Sequence, residues 1–355
     1  MKKPAWTDLK AIIVDPTGPV LTLEEKELFS REKPAGFILF KRNCESKEQV
    51  KKLVADLRAC VGRDDLPILI DQEGGSVARL KAPAFKEYPA AKIFGEICKA
   101  DKNEGEEATR ANSYLMALDL ADLGITVNCA PVADVPSPDC HVFLSGSRTY
   151  SNNADEVAKL GEAVCRGLLE GGVTPVIKHI PGHGRAKVDS HLSLPVVDAR
   201  HMDMSGTDFK PFKYLSQSDM KTALWAMAAH VVYSNLDPDS AATTSKSVTE
   251  KIIRGEIGFS GVLIADDISM KALGGTIEER VRGTLAAGMD LTMLCNASLA
   301  ERAQALAVCP KVTQASADRL EKAEIARTAN LKKDNDNKTA LEQKLTQIIK
   351  KRNLG

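Results

Sequence analysis

Gly261-Val262-Leu263-Ile264-Ala265-Asp266 is an unbroken apolar run that ends on an acid. A strand with one wet face alternates apolar and polar residues, whereas a strand covered on both faces reads as continuous hydrophobic sequence. The same pattern recurs at Ala11–Asp15, Gly36–Phe40, Pro67–Asp71, Ile125–Pro131, Pro175–His179, Ala223–His230 and Asp290–Cys295. With Gly261–Asp266 that makes eight runs.

Longer amphipathic segments lie between them. Glu48–Val61 sets Val50, Leu53, Val54 and Leu57 at helical spacing, and Glu104–Leu123 continues with Leu115, Leu118 and Leu120. Ala154–Leu169 carries Val157, Leu160, Val164, Leu168 and Leu169, and Ile277–Gly288 ends on a glycine, a common helix stop. Eight buried strands alternating with helices predict an α/β protein, a single (β/α)8 TIM-like barrel whose functional residues collect at strand C-terminal ends. A doubly wound open sheet is the rival. It uses a glycine-rich phosphate turn after its first strand, and Asp15-Pro16-Thr17-Gly18-Pro19 offers none. Residues 1–311 are assigned to the barrel. From about Val312 the sequence is highly charged, and Leu341, Leu345, Ile348 and Ile349 recur at three-to-four spacing. Residues 312–355 are therefore read as a charged linker, centred on Lys332–Lys338, and a final helix packed on the barrel.

Hydrophobic residues form 43% of the 355, enough for a large core without staples. The 48 basic residues balance 48 acidic ones, which removes any bulk electrostatic case for nucleic acid or an anionic membrane as partner. No run reaches the ~18 apolar residues of a membrane span. Met1–Asp8 has the basic start of a signal peptide but no apolar core behind it. The eight cysteines stand singly, without a Cys-x-x-Cys pair, and Cys129, Cys165 and Cys295 sit in apolar runs. They read as reduced thiols in a reducing compartment. A cytoplasmic monomer is expected.

The densest polar segment, Lys178-His179-Ile180-Pro181-Gly182-His183-Gly184-Arg185-Ala186-Lys187-Val188-Asp189-Ser190-His191, comes directly after an apolar strand and holds three of the six histidines. Pro-Gly and His-Gly break regular structure, so it forms a loop on the functional face of the barrel. A carboxylate such as Asp189 can accept from one imidazole nitrogen of His191, leaving the other to transfer a proton. The same spacing also suits an Asx turn around Ser190 with His191 exposed. At Asp266-Asp267 a carboxylate closes another strand, where it can act as a nucleophile on a sugar. One of the two can instead cap the succeeding helix, and Asp267 is the better cap by position. In Asp71-Gln72-Glu73-Gly74-Gly75 the paired glycines allow a sharp turn or a close approach to a ligand. Asp71 can accept two sugar hydroxyls and Arg79 can pair with it, a structural ion pair being equally compatible with the spacing. Arg148 carries no local signal.

Together these runs resemble the bacterial β-N-acetylhexosaminidases of glycoside hydrolase family 3, the cytoplasmic peptidoglycan-recycling group. The resemblance spans roughly Gly36 to Asn296. It rests on Gly36–Asn43, Ile70–Gly75, Ala130–Val135, the long loop pattern of Lys178–Pro195, and Gly258–Met270. It implies retaining hydrolysis of a terminal β-linked N-acetylglucosamine, with Asp266 as nucleophile, His191 as acid/base and Asp189 polarising it. Sugar contacts carry over to Asp71, Arg79, Arg148, Lys178 and His179, and no metal or cofactor is implied. The implied substrate is a small carbohydrate, N-acetylglucosaminyl-1,6-anhydro-N-acetylmuramic acid with or without its peptide. Lys178 and His179 would face opposite sides of a regular strand, so use of both implies a bend where the strand leaves the barrel. Ser76 stands where the group commonly has arginine, and Ala265 where serine or threonine precedes the nucleophile. Two alternatives carry their own tests. A metal-dependent barrel hydrolase would lose activity to chelation, and a phosphorylase resolving the intermediate with phosphate would depend on phosphate for product formation.

Overall fold

Eight strands close into a barrel of parallel neighbours in a computed structural model that describes residues 3–142, 146–188, 193–332 and 338–354. They are β1 (Lys10–Val14), β2 (Pro34–Leu39), β3 (Ile68–Ile70), β4 (Val127–Asn128), β5 (Thr174–Ile180), β7 (Trp225–Ala228), β9 (Val262–Asp267) and β10 (Leu291–Leu294). The order around the barrel is β1-β10-β9-β7-β5-β4-β3-β2. Each coincides with one of the apolar runs. Every residue of β2, β3, β5, β7 and β10 is buried, as strands packed between a filled interior and a coat of helices must be. A small parallel pair, β6 (Val196–Val197) with β8 (Val232–Tyr233), lies outside the barrel.

The helices arise from their caps and their apolar stripes. Lys47–Val61 starts at Ser46, whose hydroxyl accepts from Gln49 N at 3.2 Å, and buries Val50, Leu53, Val54, Leu57 and Val61. It stops at Gly62, whose φ of 81° a side chain would resist. Lys102–Asp122 is capped by Asp101, and Ala154–Glu170 by Asn153. These two helices lie close enough that a Cβ on Gly167 would sit 2.4 Å from Arg110 O.

Gln314–Ala329 spans the N-terminal end of the barrel. Its Ser316 Oγ and Arg319 Nη1 donate to Asp290 Oδ1 at 2.6 and 2.7 Å, just ahead of β10. Arg327 Nη1 donates to Gly172 O, ahead of β5, at 2.7 Å. The last helix, Lys338–Lys351, buries Leu345 and Ile348 and packs on Lys102–Asp122. Among the described residues no helix is long and apolar enough to cross a membrane, and all eight cysteines are free thiols. The opposite, C-terminal end of the strands is left to the loops that carry the polar motifs.

Candidate active site

Beyond β3 the chain stays extended, which sends Asp71 and Glu73 one way and Gln72 the other. Gln72 is buried and staples the loop. Its Oε1 accepts from Arg79 N and Leu80 N at 2.9 and 3.1 Å, and its backbone N donates to Asn128 Oδ1 at 3.0 Å. Gly74 and Gly75 serve packing at this point. A Cβ on Gly74 would lie 2.2 Å from Pro89 O, and one on Gly75 2.6 Å from the Ala90 Cβ.

Lys178, near the end of β5, reaches both acids. Its Nζ is 3.0 Å from Asp71 Oδ1 and 2.7 Å from Glu73 Oε1. Arg79 Nη2 completes Asp71 at 3.0 Å, and Arg148 grips Glu73 in a bidentate fork at 2.9 and 2.7 Å. Burial disfavours the charged forms, yet Lys178 and Arg79 hold the Asp71 carboxyl well below its usual range, and Lys178 and Arg148 do the same for Glu73. Lys178 is pushed upward by the two acids against its own burial. Asp71, Glu73, Lys178 and Arg148 are therefore charged at neutral pH.

The Lys178–His179 peptide is cis, and both side chains line the same cavity. Pairing of β5 with β7 also shifts register there, the departure from regularity that shared use of the two residues requires. Asp134, fully buried, holds the segment. Its Oδ2 lies 2.7 Å from His179 Nδ1, and its Oδ1 accepts from His179 N at 3.2 Å and His183 N at 2.7 Å. His179 Nδ1 is thereby a donor and Nε2 is left for the cavity. His183 is buried against His179, with ring centroids 5.5 Å apart and both ring nitrogens unpaired among the described residues. Burial drives its pKa down to about 4, so it is neutral.

Asp266 ends β9. Its carboxyl lies deep in the cavity, and Oδ1 accepts from Asp267 N at 2.8 Å. Burial opposes its ionisation, but the His179 imidazole, the hydrogen bond from Asp267 N and the Lys178 ammonium outweigh that and keep it below the usual carboxylate range. Asp267 turns aside to accept from Ser269 N, Ser269 Oγ and Cys295 N at 2.9, 2.7 and 2.9 Å. It organises a turn, since the next helix begins only at Ile277. Burial raises its pKa to about 6.

Asp71, Arg79, Arg148, Lys178, His179 and Asp266 thus line one cavity of about 380 Å3 at the C-terminal mouth of the barrel, a size ordinary for small-ligand sites. Phe40, His183, Met227, Met270, Met293 and Asn296 complete much of its wall. Asp189 and His191 lie outside the described residues. Sequence motifs alone assign no part in this site to Glu73, Asp134 or His183, although all three stand inside the runs quoted for the resemblance. Arg148 is placed by its fork with Glu73, a partner 75 positions away that no local pattern reveals.

Residues 8–330 match the glycosyl hydrolase family 3 N-terminal domain. The chain belongs to glycoside hydrolase family 3. It is 35% identical over 292 residues to a protein named β-hexosaminidase from Neisseria meningitidis, covering 79% of each chain. With a β-hexosaminidase from Chromobacterium violaceum it shares 34% over 313 residues, 88% of this chain and 85% of that one. Among solved structures it resembles NagZ from Neisseria gonorrhoeae in complex with N-trifluoroacetyl-D-glucosamine. The TM-score is 0.84 and the identity 31%, over 96% of this chain and 98% of that one.

Proposed function

We propose that the protein is a retaining exo-β-N-acetylhexosaminidase that removes terminal β-linked N-acetylglucosamine from peptidoglycan-derived sugars such as N-acetylglucosaminyl-1,6-anhydro-N-acetylmuramic acid. It would do so as a cytoplasmic monomer. The observation that carries the reading is the Asp266 carboxyl in the cavity at the mouth of the barrel, its Oδ1 held by Asp267 N, beside the charge-paired Asp71, Arg79, Lys178 and Arg148. The β-hexosaminidase names of its relatives and the amino sugar bound by the gonococcal NagZ support the choice of sugar.

Because Oδ1 of Asp266 is engaged by Asp267 N and Oδ2 has no hydrogen-bond partner among the described residues, Oδ2 is the oxygen to attack the anomeric carbon. As that C–O bond forms, the glycosidic C–O bond breaks and the leaving oxygen takes a proton from the His191 imidazolium, which Asp189 orients. Neutral His191 then removes a proton from water, the water oxygen attacks the same carbon, and Asp266 departs. Two inversions give net retention. A cationic acid beside an anionic nucleophile is an attractive pair, unlike the two carboxylates of most retaining glycosidases. Asp71, Lys178, His179, Arg79 and Arg148 offer acceptors and donors for sugar hydroxyls.

An activated fluoro-sugar analogue of N-acetylglucosamine should leave an adduct on the peptide containing Asp266, located by mass spectrometry. Asp266→Asn should lower turnover of an aryl N-acetyl-β-glucosaminide by at least about 10³-fold. An adduct elsewhere, or near-normal turnover by the variant, would sink the assignment.

A further inference from the structure

Two polar residues outside the proposed sugar contacts and acid/base loop, Asp267 and His230, converge on the peptide just after Asp266. Asp267 is bound on three sides. Its N–H donates to Asp266 Oδ1 at 2.8 Å. Its carboxylate accepts from Cys295 N at 2.9 Å, which ties the end of β9 to the end of β10, and from Ser269 N and Oγ at 2.9 and 2.7 Å. Its carbonyl accepts from His230 Nε2 at 3.0 Å. A carbonyl oxygen only accepts, so Nε2 carries the proton, and Nδ1 must accept from Thr243 Oγ1 at 2.8 Å. That tautomer is sealed in, for His230 is wholly buried and its burial keeps the ring neutral.

A carboxylate in this position is far more than a turn needs. A turn of this kind asks only for the Ser269 N–H bond, an Asx pattern any asparagine or serine supplies. The additional bond to Cys295 N crosses to another strand and fixes the angle at which the Asp266–Asp267 peptide leaves the barrel. The N–H of that peptide is the sole direct hydrogen bond to the Asp266 carboxyl among the described residues.

We infer that Asp267 is the positioning residue of the reaction, holding one oxygen of the Asp266 carboxyl so that the other faces the anomeric carbon, with His230 steadying the same peptide from behind. This role rests on Asp266 being the nucleophile. In the attack Oδ2 forms the new bond to carbon while Oδ1 becomes the carbonyl oxygen of the glycosyl ester, and the Asp267 N–H bond persists through the step. Fixing the nucleophile costs nothing at the moment of reaction and acts on turnover, not on ground-state binding of the sugar.

The test compares Asp267→Ala, Asp267→Asn and Ser269→Ala in the full chain. It uses kcat and KM on an aryl N-acetyl-β-glucosaminide and Kd for N-acetylglucosamine. Asparagine keeps the oxygen that accepts from Ser269 N and Cys295 N, and its amide can donate to the Ser269 hydroxyl, so this variant retains the fold. Asp267→Ala should lower kcat about 100-fold while KM and Kd stay within about threefold, the cost of a nucleophile misplaced by roughly 1 Å. Asp267→Asn should recover at least about tenfold of that loss, and Ser269→Ala should show a smaller fall in kcat at constant KM. Equal losses in kcat and sugar binding, or a normal kcat in both Asp267→Ala and Ser269→Ala, would overturn the positioning role. An Asp267→Asn variant no better than alanine would overturn it as well. Full activity in Asp266→Asn would instead fell the nucleophile assignment on which the role rests.

Discussion

Lys178 joins the two acids after β3 to each other, since its ammonium sits within 3.0 Å of Asp71 and 2.7 Å of Glu73 while its own side chain is 2% exposed. A buried pair is worth little beyond its desolvation cost when intact, but removal of one partner leaves charge stranded in a poor solvent. Here two carboxylates would be stranded, each with only one arginine left. Lys178→Met fills a similar volume without charge and should lose about 3 kcal/mol of stability in urea denaturation. Because the sugar site is built from the same groups, kcat/KM on the aryl glycoside should fall with it. A variant as stable as the parent would show that Arg79 and Arg148 suffice. At this scale the sequence was legible wherever a motif put the residue at a strand end, as with Asp71, Lys178 and Asp266. It was silent on Glu73 and Asp134, whose importance comes from their pairing across the barrel and not from their neighbours along the chain.

All eight barrel strands could be read from sequence because each is apolar on both faces, and that signal survives even where hydrogen-bonded pairing is short, as in the two residues of β4. Elements that lack a stripe were invisible. The β6–β8 pair has two residues per strand, too few for any period. Gln314–Ala329 buries Ser316, Ala317, Leu320 and Ala323, so small side chains and a close approach replace the large apolar face that signals a helix. The final helix did announce itself, through Leu341, Leu345, Ile348 and Ile349. Its seam on Lys102–Asp122 is apolar at Leu345 and Ile348 and ionic at its edges, where Lys338 meets Asp119 at 2.7 Å and Lys344 meets Glu107 at 3.1 Å. Exposed pairs of this kind contribute little, so the apolar contacts hold the helix. Leu345→Ala should therefore cost about 2 kcal/mol in denaturation. No residue of this seam borders the catalytic cavity, so kcat/KM should be unchanged. A loss of activity at full stability would mean that the last helix is coupled to the site.

For the molecule as a whole, formal charge is balanced at neutral pH, so stability against pH is governed by groups whose ionisation differs between folded and unfolded chains. Asp71, Glu73, Asp134 and Asp266 are all lowered from ordinary values of 3.8 or 4.5, in each case because neighbouring cations or imidazoles override burial. Each contributes stability that is present above those values and lost as the pH falls below them. His183, lowered to about 4, and His230 add a loss that starts higher, as the pH falls through 6.5, because the unfolded chain takes up protons that the buried rings refuse. Asp267, raised to about 6 by burial, and Asp208, also raised by burial, work the other way, since the folded chain binds their protons first. Two histidines and two aspartates act in opposite directions between pH 6.5 and 4.5, and the loss from the four lowered carboxylates is added below that. The Tm should hold nearly level from pH 6.5 to about 4.5 and then drop steeply. His183→Phe removes one of the opposing groups and should make Tm rise as the pH is lowered across the level stretch. A variant with the parent's profile would show that the imidazole of His183 is charged in the folded protein, whereas a parent Tm that already collapses near pH 6 would show that the two aspartates do not offset the histidines.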